Sequence, residues 1–239
     1  MPTLSEKLLP LVSNASLAHV RLPAGVSVLD PFNGEHAAEV MRIVGEFHRK
    51  FFSDDRPRTL MLGINPGRLG AGSTGICFTD TKRCESELGI PVHGIRTHEP
   101  SSDFFYRMVR AAGGPKAFYD RVYVSAVCPL GFVKLGPQAS SSRLVGSKPI
   151  NLNYYDDATL QAAITPFATE WLHALIACGM KTDRVICIGT GKNFKFLEGL
   201  NAQHGFFKHI VALEHPRFIM QYKAKQVEAY VDKYIEALR

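Results

Sequence analysis

Arg58-Thr59-Leu60-Met61-Leu62-Gly63-Ile64 runs directly into Asn65-Pro66-Gly67. A short apolar run that stops at a polar turn reads as a strand buried on both faces. Three more runs have the same character: Val122 to Val127, Val185 to Gly189 and Ile210 to Leu213. Between and around them the period changes to that of a helix. Thr159 to Cys178 places Leu160, Ile164, Phe167, Trp171, Leu172 and Leu175 at helical spacing, with Gly179 as the stop. Glu35 to Phe52 and Tyr222 to Leu238 repeat the pattern, and Asn193 to Leu200 is a shorter helix candidate. Strands alternating with helices predict a three-layer α/β/α domain. A single domain over 1–239 is expected, with 1–34 an N-terminal extension packed on it.

The composition agrees with a folded α/β protein. The chain has 239 residues, 46% hydrophobic and 21% charged, enough for a substantial core. Lys and Arg number 28 against 22 Asp and Glu, a net charge of +6 that favours polyanionic partners. Five cysteines without a C-x-x-C pair argue against a disulfide scaffold and a zinc ribbon. Buried thiols in a reducing cytoplasm are the expectation. The N-terminus has no basic segment followed by a long apolar run, and no stretch reaches membrane-spanning length.

Three stretches do not fit strand or helix periods: Gly67 to Pro100, Gly131 to Tyr155 and His215 to Tyr222. Each begins at or just past the C-terminal end of a predicted strand, the edge where open α/β sheets bind ligands. The chemically suggestive residues lie there. Asn65 ends the first strand, Pro66 fixes the turn and Gly67 allows a ligand close to the backbone. Taken alone, Asn-Pro-Gly is equally a simple turn. His215-Pro216-Arg217 follows the fourth strand, and a histidine there can donate a hydrogen bond into the same cleft. Alone, it is equally a structural or solvated histidine. Ser125, Ala126 and Cys128-Pro129-Leu130 end the second strand.

Together, Gly63-Ile64-Asn65-Pro66-Gly67, Thr74-Gly75-x-x-Phe78, Cys128-Pro129-Leu130 and His215-Pro216 resemble the uracil-DNA glycosylase superfamily. Their order and spacing are closest to the single-strand-selective monofunctional uracil-DNA glycosylases, and within these to a bacterial side branch. The resemblance spans about residues 35 to 239. It implies a central four-stranded parallel sheet in the order 2-1-3-4. It implies that Asn65 positions the attacking water, Phe78 stacks on a flipped base and His215 stabilises the departing base through O2. Gly67 falls where relatives carry either a small residue or a bulkier gatekeeper. Gly63, Ile64, Pro66, Ser125, Ala126 and Cys128 complete the expected base pocket. One departure stands out: the family's pyrimidine-reading Asn is replaced by Ala126. His-Pro-Arg is also shorter than the usual His-Pro-Ser-Pro.

The implied activity is a monofunctional DNA glycosylase that hydrolyses the N-glycosidic bond of uracil, and of other deaminated bases such as hypoxanthine and xanthine, in DNA. The partner is then DNA, single- or double-stranded, and the enzyme is expected to be a cytoplasmic monomer without cofactor or metal. Arg68, Arg143, Lys148, Lys192, Arg217 and Phe218 are candidate DNA contacts. Arg217-Phe218-Ile219-Met220 is a candidate wedge into the base stack, or otherwise an apolar helix start. Two rival readings compete: a nucleic-acid-binding module that has lost catalysis, which Ala126 favours, and a metal-dependent hydrolase of free nucleotides. The second lacks an acidic metal cluster. Gly189-Thr190-Gly191-Lys192-Asn193 is not a P-loop, lacking Gly at 186 and Ser or Thr at 193. Cys77, Cys84, His93 and His98 match no standard metal spacing.

Overall fold

The protein is described from a computed structural model, which covers residues 1–134 and 149–239. The four predicted strands are present as β2 (Arg58–Gly63), β3 (Val122–Ala126), β6 (Met180–Ile188) and β7 (His209–Leu213). They form one parallel sheet in the order β3-β2-β6-β7, which is 2-1-3-4 when these strands alone are counted. Every residue of β2 is buried, as a central strand covered on both faces requires. Register decides where the strands end together. Gly63 lies opposite Ala126, Leu62 opposite Cys187 and Ile188 opposite Leu213. The ladder continues past the strand ends through Val127 N–H to Gly63 O (3.0 Å) and Cys128 N–H to Ile64 O (3.2 Å). The chain segments after all four strands therefore emerge along one edge.

The helices include α2 (Ala37–Phe51), α7 (Ala158–Ala177), α8 (Lys192–His204) and α10 (Val227–Ala237), close to the predicted segments. Other elements fall where hydrophobic period assigns none. They include α1 (Leu4–Ser13), whose capping box is complete through Thr3 and Glu6, and the buried-faced α5 (Pro100–Ala111). A second, antiparallel sheet joins β1 (Val26–Leu29), β4 (Gly131–Lys134) and β5 (Ile150–Leu152). The stretch expected to be a loop from Gly131 to Tyr155 thus contains two strands. They are three or four residues long and partly exposed, and β4 finds its first partner about 100 residues earlier. No local period reports such a pairing. α1 lies on α2, with Leu4 N–H donating to Asp54 O (2.6 Å) and Ser5 N–H to Phe52 O (2.7 Å).

On the buried face of α2, His48 is 2% exposed, with Nδ1 2.8 Å from Val44 O and Nε2 3.2 Å from the Tyr123 hydroxyl. Burial pushes its imidazole from 6.5 down to about 4. Between those values the unfolded chain binds a proton that the folded chain resists, so stability falls as pH drops from 6.5 to 4. His48 accounts for roughly 3 kcal/mol of that loss. Urea denaturation at pH 7 and pH 5 checks it: His48→Gln is expected to lose less stability on acidification than the unaltered protein. Equal losses would show that His48 is not the titrating group.

Candidate active site

The edge formed by the strand ends opens into a cleft of about 290 Å³. Its lining includes Gly63, Ile64, Asn65, Pro66, Gly67, Phe78, Ser125, Ala126, His215, Arg217 and Phe218, so candidates scattered over 155 positions converge on one site. Cys128 does not join them. It is fully buried behind the strand tip, and burial pushes its thiol up to about 12. A neutral, inaccessible sulfur is core packing, which corrects its placement in the base pocket.

Asn65 is held from both ends of its amide. Nδ2 donates to Leu152 O (3.1 Å), and Oδ1 accepts from Tyr154 N–H (3.0 Å). Those partners lie in and just after β5, so the second sheet orients the side chain of the first. Tyr154 is itself fixed: its hydroxyl donates to Asn193 Oδ1 (2.7 Å), and Asn193 Nδ2 donates to Ile188 O (3.0 Å). Oδ1 of Asn65 keeps a second lone pair, which can orient a water.

His215 caps α9 (Pro216–Tyr222), and its Nδ1 accepts from Arg217 N–H (3.1 Å). An acceptor at Nδ1 requires the neutral ring to carry its proton on Nε2. Burial, with a smaller effect from the neighbouring Arg217 charge, pushes the imidazole down to about 4. His215 is therefore a neutral Nε2–H donor at pH 7.

Phe78 has φ +55°, the one non-glycine residue with positive φ among the described residues. Such a conformation costs on the order of 1–3 kcal/mol and persists only where its surroundings impose it. Here they do. The buried Thr74 hydroxyl donates to Thr79 O (2.7 Å) and accepts from Ile76 N–H (3.2 Å), closing the turn around Phe78. Phe105 stacks on the Phe78 ring at 5.2 Å and 16°, and His215 lies 5.6 Å from it. A Cβ on Gly63 would come within 3.1 Å of the ring, so a glycine at the strand tip lets Phe78 sit there. At the end of β3, Trp171 Nε1 donates to Ala126 O (3.2 Å), which ties that wall to α7.

This arrangement joins an oriented amide, a neutral imidazole donor and a planar aromatic face at the edge of a parallel sheet. A family model described as "Uracil DNA glycosylase superfamily" matches residues 50–239. The chain belongs to the uracil DNA glycosylase superfamily. It is a DNA glycosylase, a hydrolase of N-glycosyl bonds. Among solved structures it is similar to the crystal structure of wild-type Pedobacter heparinus SMUG2, at 46% identity and a TM-score of 0.92. That similarity covers 99% of this chain and 97% of the other. A search of the curated proteins gave no match.

Beyond these family positions, the structure adds groups that sequence reasoning missed. Glu99, Asn151, Leu152, Asn153, Tyr155, Gln221 and Tyr222 also line the cleft. Their segments pair or pack only through distant contacts, and no motif marks them. At the rim, Arg217 and Phe218 are exposed, whereas Ile219 is fully buried and Met220 packs on the core. The wedge candidate thus narrows to Arg217 and Phe218, because α9 turns its next two side chains inward. Lys192 is exposed with Nζ 5.8 Å over the Tyr155 ring. Arg68 does not line the cleft. Its backbone N–H donates to Asn151 Oδ1 (3.3 Å), and its Nε is buried without a hydrogen-bond partner among the described residues. Arg143 and Lys148 lie outside the described residues. No helix among the described residues is long and apolar enough to cross a membrane.

Proposed function

We propose that the protein removes uracil and other deaminated bases, hypoxanthine and xanthine among them, from DNA. The observation that carries this reading is the neutral His215, with its free Nε2–H in the same cleft as the oriented Asn65 amide. The target nucleotide leaves the base stack and enters the cleft, its ring on Phe78. The glycosidic N–C1′ bond breaks with its electron pair going to the base. His215 donates to the carbonyl or ring nitrogen beside the glycosidic nitrogen. That bond strengthens as the base becomes an anion, so it lowers the barrier more than it aids binding. The sugar cation is captured by water held on Asn65 Oδ1; that water sheds a proton to solvent, and the released base anion takes one up. The cation is electrophilic enough that orientation suffices and no strong base is needed. Arg217, Phe218 and Lys192 are assigned to DNA contact, and the chain to action as one monomeric unit.

Ala126, 3% exposed, also lines this pocket and has no side-chain amide to pair with a pyrimidine edge. A site built on such an amide rejects other bases by leaving its polar group unpaired. Without it a larger ring meets less opposition, and deaminated purines still leave as stable anions. Oligonucleotides with single uracil, hypoxanthine or xanthine sites, incubated with EDTA and developed with alkali, test both points. The protein is expected to open all three, and Ala126→Asn to raise the uracil-to-hypoxanthine rate ratio by about tenfold, the scale of one hydrogen bond. No abasic sites on any substrate would leave a binding module, and an unchanged ratio would remove Ala126 from the specificity account.

A further inference from the structure

Glu99 is the one carboxylate in the lining of the cleft among the described residues. It stands at the start of α5, yet its side chain bonds to none of that helix's first-turn amides. Its backbone N–H donates to Asp80 Oδ2 (2.8 Å), and that oxygen also accepts from the Ser102 hydroxyl (2.8 Å). The side chain lies in the space that a side chain at position 70 would otherwise take. A Cβ on Gly70 would collide with its carboxylate, and one on Gly67 would lie 3.5 Å from Oε1. Glu99 thus occupies the space beside Gly67, and its carboxyl oxygens accept no hydrogen bond from the described residues. A carboxyl group so placed is available to a ligand.

The edge it would meet follows from the pose proposed above, on which this inference rests. In that pose the glycosidic side of a base stacked on Phe78 is assigned to Asn65 and His215 and its far edge to Ala126, all of which line the one cleft. Its remaining edge is then assigned to Gly67, the lining residue beside which the Glu99 carboxylate stands. In uracil that edge is mainly C5–H, with O4 at one corner. In hypoxanthine and xanthine it presents O6 and N7, both hydrogen-bond acceptors. An ionised carboxylate would set acceptor against acceptor there, whereas a protonated carboxyl can donate.

We propose that Glu99 is a specificity-determining residue that donates a hydrogen bond from its protonated carboxyl to the O6/N7 edge of a flipped deaminated purine. Its surroundings favour the protonated form. Burial, together with the nearby charge of Asp80, pushes the carboxyl up to about 7, against the opposing pull of Arg217. Cys77 faces it as a neutral thiol, raised to about 12. His215 shares the cleft as a neutral ring. His98, the adjacent residue, sends Nδ1 to Asp80 (3.2 Å) and lies 3.7 Å from Asp103 through Nε2. Below about pH 7 the donor is present, and above it the donor is lost.

The test is single-turnover excision of hypoxanthine and uracil from matched oligonucleotides between pH 5.5 and 8.5. It uses the unaltered protein, Glu99→Gln and Glu99→Ala, each checked for folding by thermal melting. The hypoxanthine-to-uracil rate ratio of the unaltered protein is expected to fall as pH rises past about 7. Glu99→Gln, whose amide remains a donor at every pH, is expected to hold that ratio level. Glu99→Ala is expected to lower it about tenfold at pH 6. If Glu99→Ala does not fold, the flat profile of Glu99→Gln carries the test. The inference is overturned if the ratio is the same in all three proteins, or if Glu99→Gln loses as much as Glu99→Ala, since that would assign the work to an ionised carboxylate. Uracil excision without any purine excision by the unaltered protein would sink the purine range and this inference together. Excision of both bases with an unchanged ratio sinks the inference alone.

Discussion

Asn65→Ala is expected to slow single-turnover excision of uracil by on the order of 10²-fold or more, the scale of a lost transition-state contact. The reason lies in how little freedom the side chain has. Leu152 O and Tyr154 N–H grip the amide from both sides, so its remaining lone pair points in one direction when the sugar cation forms. Alanine also strands those two backbone groups, at a cost of about 1–3 kcal/mol for each one buried. Folding must therefore be measured beside the rate. Asn65→Asp separates position from basicity. Its carboxylate can still accept from Tyr154 N–H, but it sets a second oxygen against Leu152 O where the amide had a donor. The aspartate variant is expected to recover little of the lost rate, although it is the stronger base. An aspartate enzyme as fast as the unaltered protein would show that water is deprotonated at this position rather than oriented.

His215→Ala is expected to cost a further 10²- to 10³-fold on the same scale. The accompanying pH profile is the more telling measurement. Because Arg217 N–H occupies Nδ1 and the ring is pushed down to about 4, the Nε2–H donor is unchanged from pH 5 to pH 8. Uracil excision is thus expected to show no step near 6.5, where an unperturbed histidine titrates. A step appears only toward pH 4, where the ring gains a second proton. A rate that climbs as pH falls through 6.5 would mean that an imidazolium, not a neutral imidazole, serves the departing base. His48 is pushed down to the same range but does not line the cleft, so a step toward pH 4 that persists in His48→Gln belongs to His215.

The parallel sheet was legible because each strand carries its own local mark, a run apolar on both faces that ends at a turn. Asn65, Phe78 and His215 were legible because they stand just past such runs, in an order and spacing that resemble one family. Cys128 misled because position relative to a strand end is not accessibility. Two residues beyond Ala126 the chain has already turned into the core, and the thiol is buried. For Ile219 the alternative of an apolar helix start holds, since a seven-residue helix must face the core with part of its surface.

From the sequence alone came the fold class, the edge at which chemistry gathers and the residue types gathered there, because these follow from local period and from motifs at strand ends. What only tertiary structure decided is how those residues are held. The antiparallel sheet of β1, β4 and β5 and the turn just after it supply the Leu152 and Tyr154 backbone groups that orient Asn65, and Asn193 anchors Tyr154 from another element. The Glu99 carboxylate stands in space left open by Gly70, about 30 residues away along the chain. A backbone hydrogen bond across a cleft, and the space left by a glycine, depend on long-range packing, and neither has a local period by which it could be read.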